Sequence, residues 1–240
     1  MLVAQIAYDR LNPRAKAEAD RLLALSIDPV DVTATSTNFV DASHWADDVK
    51  RLPGFEFSKP LHFVDVPFSA DGTPLPANLP ATNNVIRALQ DYVAVLRTST
   101  NDTERAAALR YILHFTGDIH QPLHCVSRVT RRWPDGDQGG NKFWINNPIP
   151  DTKPDHINLH AYWDDGLYSF PKMGPHYAPP PLAEIVAAAP SIVAEHPPTE
   201  SGWKAGGPFA FAAWAKESTQ LAQSVVYAGI AQYRVPDERY

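Results

Sequence analysis

The stretch HFTGDIHQPLH, His114 to His124, closes a strongly helical run and decides how the chain is read. His114 and Asp118 stand four positions apart, so on a helix both project from one face about one turn apart, a common way to present two metal ligands. At 3.6 residues per turn His124 falls well round the cylinder from that pair, and a straight helix cannot aim all three side chains at one point. Pro122 resolves the conflict. It has no N–H to give the carbonyl of Asp118, and its ring clashes there, so a stop or kink is expected between Asp118 and His124. His124 is then left to fold back toward the pair or to serve a second, neighbouring metal. Most histidines are surface or hydrogen-bonded core residues, but three imidazoles and a carboxylate in eleven residues favour a metal, provided other ligands exist.

Candidates are present on both sides of this stretch. NLHAYWDDG repeats the helical His/Asp spacing with His160 and Asp164. SHWADDVKR places Asp47 two residues after Trp45 on a predicted helix, and LHFVDVP places His62 on a predicted strand or extended segment. Alone, an Asp in a helical pair is usually solvated and a His in a strand is usually packing. Together Asp47, His62, His114, Asp118, His124, His160 and Asp164 supply four imidazoles and three carboxylates with no thiolate, hard-to-borderline chemistry suited to zinc. That is too many ligands for one tetrahedral ion. Two or more ions sharing a bridging carboxylate are the arrangement used to activate water and hold both oxygens in phosphate-ester hydrolysis. The chain has no His-Asp dipeptide, which argues against the other common helical metal-phosphohydrolase architecture.

The rest of the chain bounds this reading. At 240 residues it has ample length for a buried core, and ligands spread from Asp47 to Asp164 favour one domain. Hydrophobic content of 44% with 20% charged residues excludes general disorder. No apolar run approaches the length of a membrane span. The N-terminus lacks the order of a signal peptide, a silence that a mature secreted chain would share. The single cysteine, Cys125, excludes an internal disulfide, and its buried-packing role competes with that of a thiolate ligand beside His124. A formal charge of −6 argues against a broad basic nucleic-acid surface, although bound zinc would concentrate positive charge in one cleft.

Helical signals dominate. LVAQIAYDRL is apolar-periodic, and Asn12-Pro13 reads as N-cap and first-turn proline of a helix through AKAEADRLLAL. Asp41 is expected to cap a helix through Leu52, and further helices are expected over about Asn83 to Thr98, from an Asp102 or Thr103 cap through ERAAALRYILHF, and around Asn158–Tyr168, Leu182–Glu195 and Phe209–Tyr233. Stiff proline-rich loops, NNPIPDTKP and HYAPPPL, absorb much of the count of 23 prolines. LHFVDVP and NKFWI are the strand candidates, expected to form a small ribbon. Asn101-Asp102-Thr103 is formally a glycosylation sequon, with helix capping as a sufficient structural reason.

HFTGDIHQPLH, the WAD of SHWADDVKR, LHFVD, the GGN of GDQGGNKFW, NLHAYWD and the late WAKESTQLAQSVVY together resemble the S1/P1 nuclease family, zinc-dependent single-strand nucleases and 3′-nucleotidases, in order over residues 1 to about 227. The resemblance implies an all-α fold of the phospholipase C/P1 nuclease type with at most a small β-ribbon, and a single nuclease domain over 1–240. It implies three zinc ions per chain. Asp47, His62, His114 and Asp118 hold the first, and His124, His160 and Asp164 the second. Asp118 bridges to a third, completed by the amino group and carbonyl of an N-terminal Trp and by a nearby His. Aligned on Val3-Ala4, those last residues fall immediately before Met1, so about six residues of the family start are expected to be missing, two sites to be complete and activity to be crippled until the start is restored.

The same resemblance implies the remaining roles. Asp47 orients the attacking water or takes its proton, and Lys50 stands where the family usually carries a phosphate-contacting Arg. Phe63 stacks on a base and Asp65 reads its edge, which suits single strands because only unpaired bases offer both; packing of Phe63 in the core is the competing expectation. Asn141 positions the zinc loop or the base, and Asp165 replaces the more usual Asn or Thr. Arg128, Arg131 and Arg132 are candidates for flanking phosphates. The implied partners are single-stranded nucleic acid and nucleotides, with no membrane, in a secreted or periplasmic monomer. Two rivals stand beside this. One is a phospholipase C of the same fold, which would carry Glu where Asp164 stands. The other is a non-catalytic helical protein braced by metal.

Overall fold

A computed structural model describes residues 1–27, 36–148, 155–168, 180–197 and 209–230. The chain forms two compact units: Met1–His62, Asn83–Asp118 and Lys172–Ala213 make the first, and Phe63–Thr82, Ile119–Pro171 and Trp214–Tyr240 the second.

The first unit is helical. α1 spans Leu2–Arg10 and α2 Pro13–Leu23, with Asn12 accepting from the Ala15 N–H and Pro13 at the first turn, as expected. The region opened by Asp41 is shorter than its sequence suggests: a 3₁₀ turn over Asp41–Ser43 precedes α3, Trp45–Val49. α4, Val85–Thr98, starts at Asn84, whose side chain accepts from both Ile86 and Arg87 N–H groups. α5 is Asp102–Asp118. Its first turn is capped not by Asp102 or Thr103 but by Asn101, which accepts from the Thr103 N–H at 2.9 Å. α7, Leu182–Glu195, keeps its expected bounds and packs on α1.

α5 is the central helix, packing on α4, α2 and α3. Its buried residues include Ala106, Ala108, Leu109, Tyr111 and Phe115, so it is covered on most sides. Tyr111 stacks on Tyr92 at 4.5 Å and takes the edge of the fully buried Trp45 at 5.2 Å. Arg110 is also fully buried, because its guanidinium donates to the Ala106, Leu23 and Leu25 carbonyls. It thereby satisfies acceptors that the end of α2 leaves over.

The second unit holds two two-stranded sheets. β1, Pro67–Ser69, pairs in parallel with β2, Ser127–Val129; β3, Trp144–Asn146, pairs antiparallel with β4, His156–Asn158. The two strand candidates therefore do not pair with each other, and His62 is not in a strand. It ends a 3₁₀ segment, Glu56–His62, that contains Pro60. Extended pairing starts only beyond it, where Val64 N–H donates to the His124 carbonyl and Val66 C=O accepts from Ser127. α6, Leu159–Asp164, is capped by Asn158 and stops short of Tyr168; a separate 3₁₀ turn follows, with Leu167 at φ +56°. α8, Phe211–Leu221, continues as a π turn over Ala222–Val226, so the helix expected over Phe209–Tyr233 starts two residues later and ends by Tyr227, where the chain turns; residues 231–233 and most of both proline-rich loops lie outside the described residues. Leu123, Val126, Phe143, Ile145, Leu159, Ala222 and Val226 form the core of this unit.

α5 stops at Asp118, and Pro122 opens a new 3₁₀ turn, Pro122–Cys125, after extended Gln121. In the second unit the carbonyls of Ile119 and Cys125 accept from the hydroxyls of Ser218 and Thr219. Cys125 is buried with its thiol against the Ile119 carbonyl, which makes it a packing residue.

Candidate metal centres

In the first unit, α5 supplies His114 and Asp118 one turn apart, α3 supplies Asp47 and the end of the 3₁₀ segment supplies His62. Asp47 Oδ1 lies 3.4 Å from both His62 Nδ1 and His114 Nε2, and those two nitrogens are 3.1 Å apart. Asp118 Oδ2 reaches the same nitrogens at 3.1 and 3.2 Å. Asp47, His62 and His114 each offer an atom within 4.8 Å of the others. Ligand atoms around a tetrahedral zinc with bonds of about 2.0 Å sit roughly 3.3 Å apart, so these separations and the all-nitrogen-and-oxygen donor set fit that ion. His114 Nδ1 is 2.7 Å from the Ser43 carbonyl. A carbonyl only accepts, so Nδ1 carries the proton and Nε2 is turned to the group.

The electrostatics of this cluster are those of a cation site. Burial works against the charge of Asp47, but the hydrogen bond and charge of His114, with the Lys50 ammonium, hold its carboxyl well below the usual range. Burial also disfavours a charged His114, yet Asp118 and Asp47 overcome it and push the imidazole up to about 10. His62 goes down, because burial outweighs Asp118. A proton on His114 thus supplies positive charge where two carboxylates converge. The amino group of Met1 is within electrostatic reach of Asp118; burial pushes it down and Asp118 opposes this.

In the second unit, His124 comes from the 3₁₀ turn beyond Pro122, and His160 and Asp164 from α6. His124 Nε2 is 3.2 Å from Asp164 Oδ1, and His160 Nε2 is 3.2 Å from Asp164 Oδ2. The rings stack at 4.7 Å, and the three residues again offer atoms within 4.8 Å of one another. Burial opposes the charge of Asp164, but hydrogen bonds from both histidines hold its carboxyl far below the usual range. Gln121 Nε2 also donates to Asp164 Oδ1 at 2.7 Å, and His160 Nδ1 faces the Gly139 carbonyl at 2.8 Å. Three nitrogen and oxygen donors with a position left over fit a zinc site able to accept water or substrate. His124 belongs with His160 and Asp164, which answers the question that Pro122 left open.

The other predicted residues fall as follows. Lys50 Nζ pairs with Asp47 Oδ1. Phe63 is 38% exposed, so the core alternative for it is set aside. Asp65 is partly buried, and burial together with the charge of Asp137 pushes its carboxyl up to about 6 against the pull of His160, Lys142 and His124. Asn141 is exposed and donates to the Gln138 carbonyl of its own turn at 2.8 Å; Asp165 closes α6 with its N–H on the Ala161 carbonyl. The guanidinium of Arg128 lies 5.2 Å from the Phe143 ring and that of Arg132 5.2 Å from Trp133. His120 packs on Trp214 at 4.9 Å. Sequence reading missed Ser43, Gln121 and Gly139, because a backbone carbonyl or a helix-end amide gives no ligand-like signal.

A mostly helical protein that gathers two His/Asp groups at ligand spacing is a helical protein with two candidate metal centres. The chain is a member of the S1/P1 Nuclease family, whose model matches residues 1–240. It is similar to Nuclease S1 of Aspergillus oryzae, 32% identical over 136 residues covering 55% of this chain and 43% of that protein. It is likewise similar to Endonuclease 3 of Arabidopsis thaliana, 31% identical over 50% of this chain and 39% of the relative, and to Nuclease P1 of Penicillium citrinum, 29% identical over 68% and 54%. The chain spans about half the length of the curated relatives it matches.

Proposed function

We propose that this chain hydrolyses phosphodiesters of single-stranded nucleic acid and 3′-nucleotide phosphomonoesters, with zinc held by Asp47, His62, His114 and Asp118 in one unit and by His124, His160 and Asp164 in the other. The observation that carries this is the gathering of residues scattered from 47 to 164 into two nitrogen-and-oxygen donor groups at 3.1–3.4 Å spacing, in a chain of the S1/P1 Nuclease family. Zinc held in such groups would lower the pKa of a bound water to roughly 7 and would neutralise charge on phosphate oxygens.

The chain's own residues supply the rest. Asp47, held ionised, orients the attacking water and accepts its proton. Lys50 now pairs with Asp47 and turns to the substrate phosphate as a point charge, without the two-pronged grip of an arginine. The exposed ring of Phe63 offers a face to an unpaired base, and Asp65, two residues on, accepts from its edge. Asn141 braces the turn that leads to Gly139, and Asp165 ends the helix that carries His160 and Asp164. This reading treats residues 1–240 as one nuclease domain in a secreted or periplasmic monomer.

Zinc content and hydrolysis of single-stranded DNA are measured together, with a chelator control. About two zinc ions per chain and chelator-sensitive cleavage support the reading. Cleavage of phosphatidylcholine micelles with no action on polynucleotide would favour the phospholipase alternative, and a zinc-free protein would sink both.

A further inference from the structure

The turn over residues 136–140 has positive φ at Gly136, Gln138, Gly139 and Gly140, at 92°, 57°, 59° and 82°, which costs nothing at the glycines. Gln138 has no glycine freedom there, so tertiary contacts must hold it. At the centre of the turn sits Asp137, fully buried. Its Oδ1 accepts from the Arg128 N–H at 2.9 Å, its Oδ2 from the Tyr227 hydroxyl at 2.8 Å, and its carbonyl from the Lys142 N–H at 3.0 Å. The Gly140 N–H also bonds the Asp137 carboxylate. Gln138 N–H adds a bond to Ser127 Oγ at 3.3 Å. A carboxyl group that accepts from several donors does so best as a carboxylate.

That turn delivers one group to the second metal centre. The Gly139 carbonyl stands 2.8 Å from His160 Nδ1, and the backbone approaches so closely that a Cβ on Gly139 would lie 2.2 Å from the Leu123 carbonyl oxygen. Resting on the zinc reading above, the geometry points to Asp137 as a positioning residue for that centre, with Tyr227 as its anchor. Asp137 holds the turn so that the Gly139 carbonyl accepts a hydrogen bond from His160 Nδ1–H and His160 presents Nε2 toward Asp164. The brace reaches His160 through a backbone carbonyl, where a ligand histidine often uses a carboxylate directly.

Asp137→Asn and Tyr227→Phe, made in the full chain, test this with two readouts. In metal-free protein, nitrogen–proton correlation spectra of the histidine rings report whether His160 Nδ1 carries a held proton. Chelator competition reports zinc affinity site by site. Asp137→Asn is expected to lose the protected His160 Nδ1–H signal and to weaken zinc at the His124/His160/Asp164 group by about ten- to hundredfold, leaving the Asp47/His62/His114 group unchanged. Tyr227→Phe, lacking one hydrogen bond, is expected to move both readouts the same way by less. It carries the test by itself if Asp137→Asn does not fold. A lower melting temperature with unchanged His160 signal and zinc affinity would reduce Asp137 to a structural residue and overturn the proposal. Wild-type protein that binds no zinc yet keeps the His160 Nδ1–H signal, with that signal lost in Asp137→Asn, would sink the zinc reading alone.

Discussion

Zinc binding at the first centre is expected to exchange a proton for a metal ion at His114. In the metal-free protein the His114 imidazole is pushed up to about 10 by Asp118 and Asp47, so at pH 8 roughly 99% of the molecules carry this proton on simple titration. Nδ1 keeps its proton on the Ser43 carbonyl, so the proton displaced is that on Nε2. Asp47 is already ionised, and His62, pushed down by burial, is already neutral. Apparent affinity should therefore rise about tenfold per pH unit between roughly 7 and 10 on account of His114. The sign for folding is the reverse. A raised folded-state pKa stabilises the metal-free protein fully below the unfolded value of about 6.5 and loses that contribution as pH rises through about 10. Calorimetry of zinc binding at pH 8 in buffers of different ionisation enthalpy counts the protons. Wild type should release about one more proton than His114→Gln, which cancels protons from water or from the second centre. Equal proton release by the two proteins would refute the reasoning.

Asp65 provides a second titration: its carboxyl should titrate near 6 in metal-free protein by carbon NMR, and zinc at the neighbouring His124/His160/Asp164 group should move it lower, since positive charge favours the carboxylate; no movement would separate Asp65 from that centre. Phe63→Ala should raise KM for single-stranded DNA by about five- to 150-fold, the worth of one base stacked on an aromatic ring, with little change in melting temperature because the residue is exposed; a large loss of stability instead would return Phe63 to a packing role. Arg110→Met leaves buried carbonyls of Leu23 and Leu25 without this donor and should cost about 2–3 kcal/mol, lowering Tm by roughly 4–12 °C in differential scanning calorimetry.

Much of the helical content and both local His/Asp pairs were legible because they depend on short-range periodicity. His114/Asp118 and His160/Asp164 sit one turn apart on α5 and α6 as their spacing dictates, and Pro122 separates His124 from α5 through its own missing N–H. Asn12 and Pro13 start α2 for equally local reasons. His62 is not in a strand because its strand partner is distant in sequence: the 3₁₀ segment that contains Pro60 runs through His62, and extended pairing begins only where His124 and then Ser127–Val129 are available.

The sequence by itself determined which residue types are available for metal chemistry, the capped start of α2, the bounds of α7, and the family. Only the tertiary structure decided which distant residues share a donor group, joining Asp47 and His62 to His114, and His124 to the α6 pair. It alone decided that Arg110 is buried and not solvated, and that His114 and His160 are turned by the carbonyls of Ser43 and Gly139. The physical reason is range. Helix spacing and proline sterics act over a few residues, whereas a carbonyl has the same chemistry at every position, and its role is set by what folding brings within hydrogen-bonding distance of it.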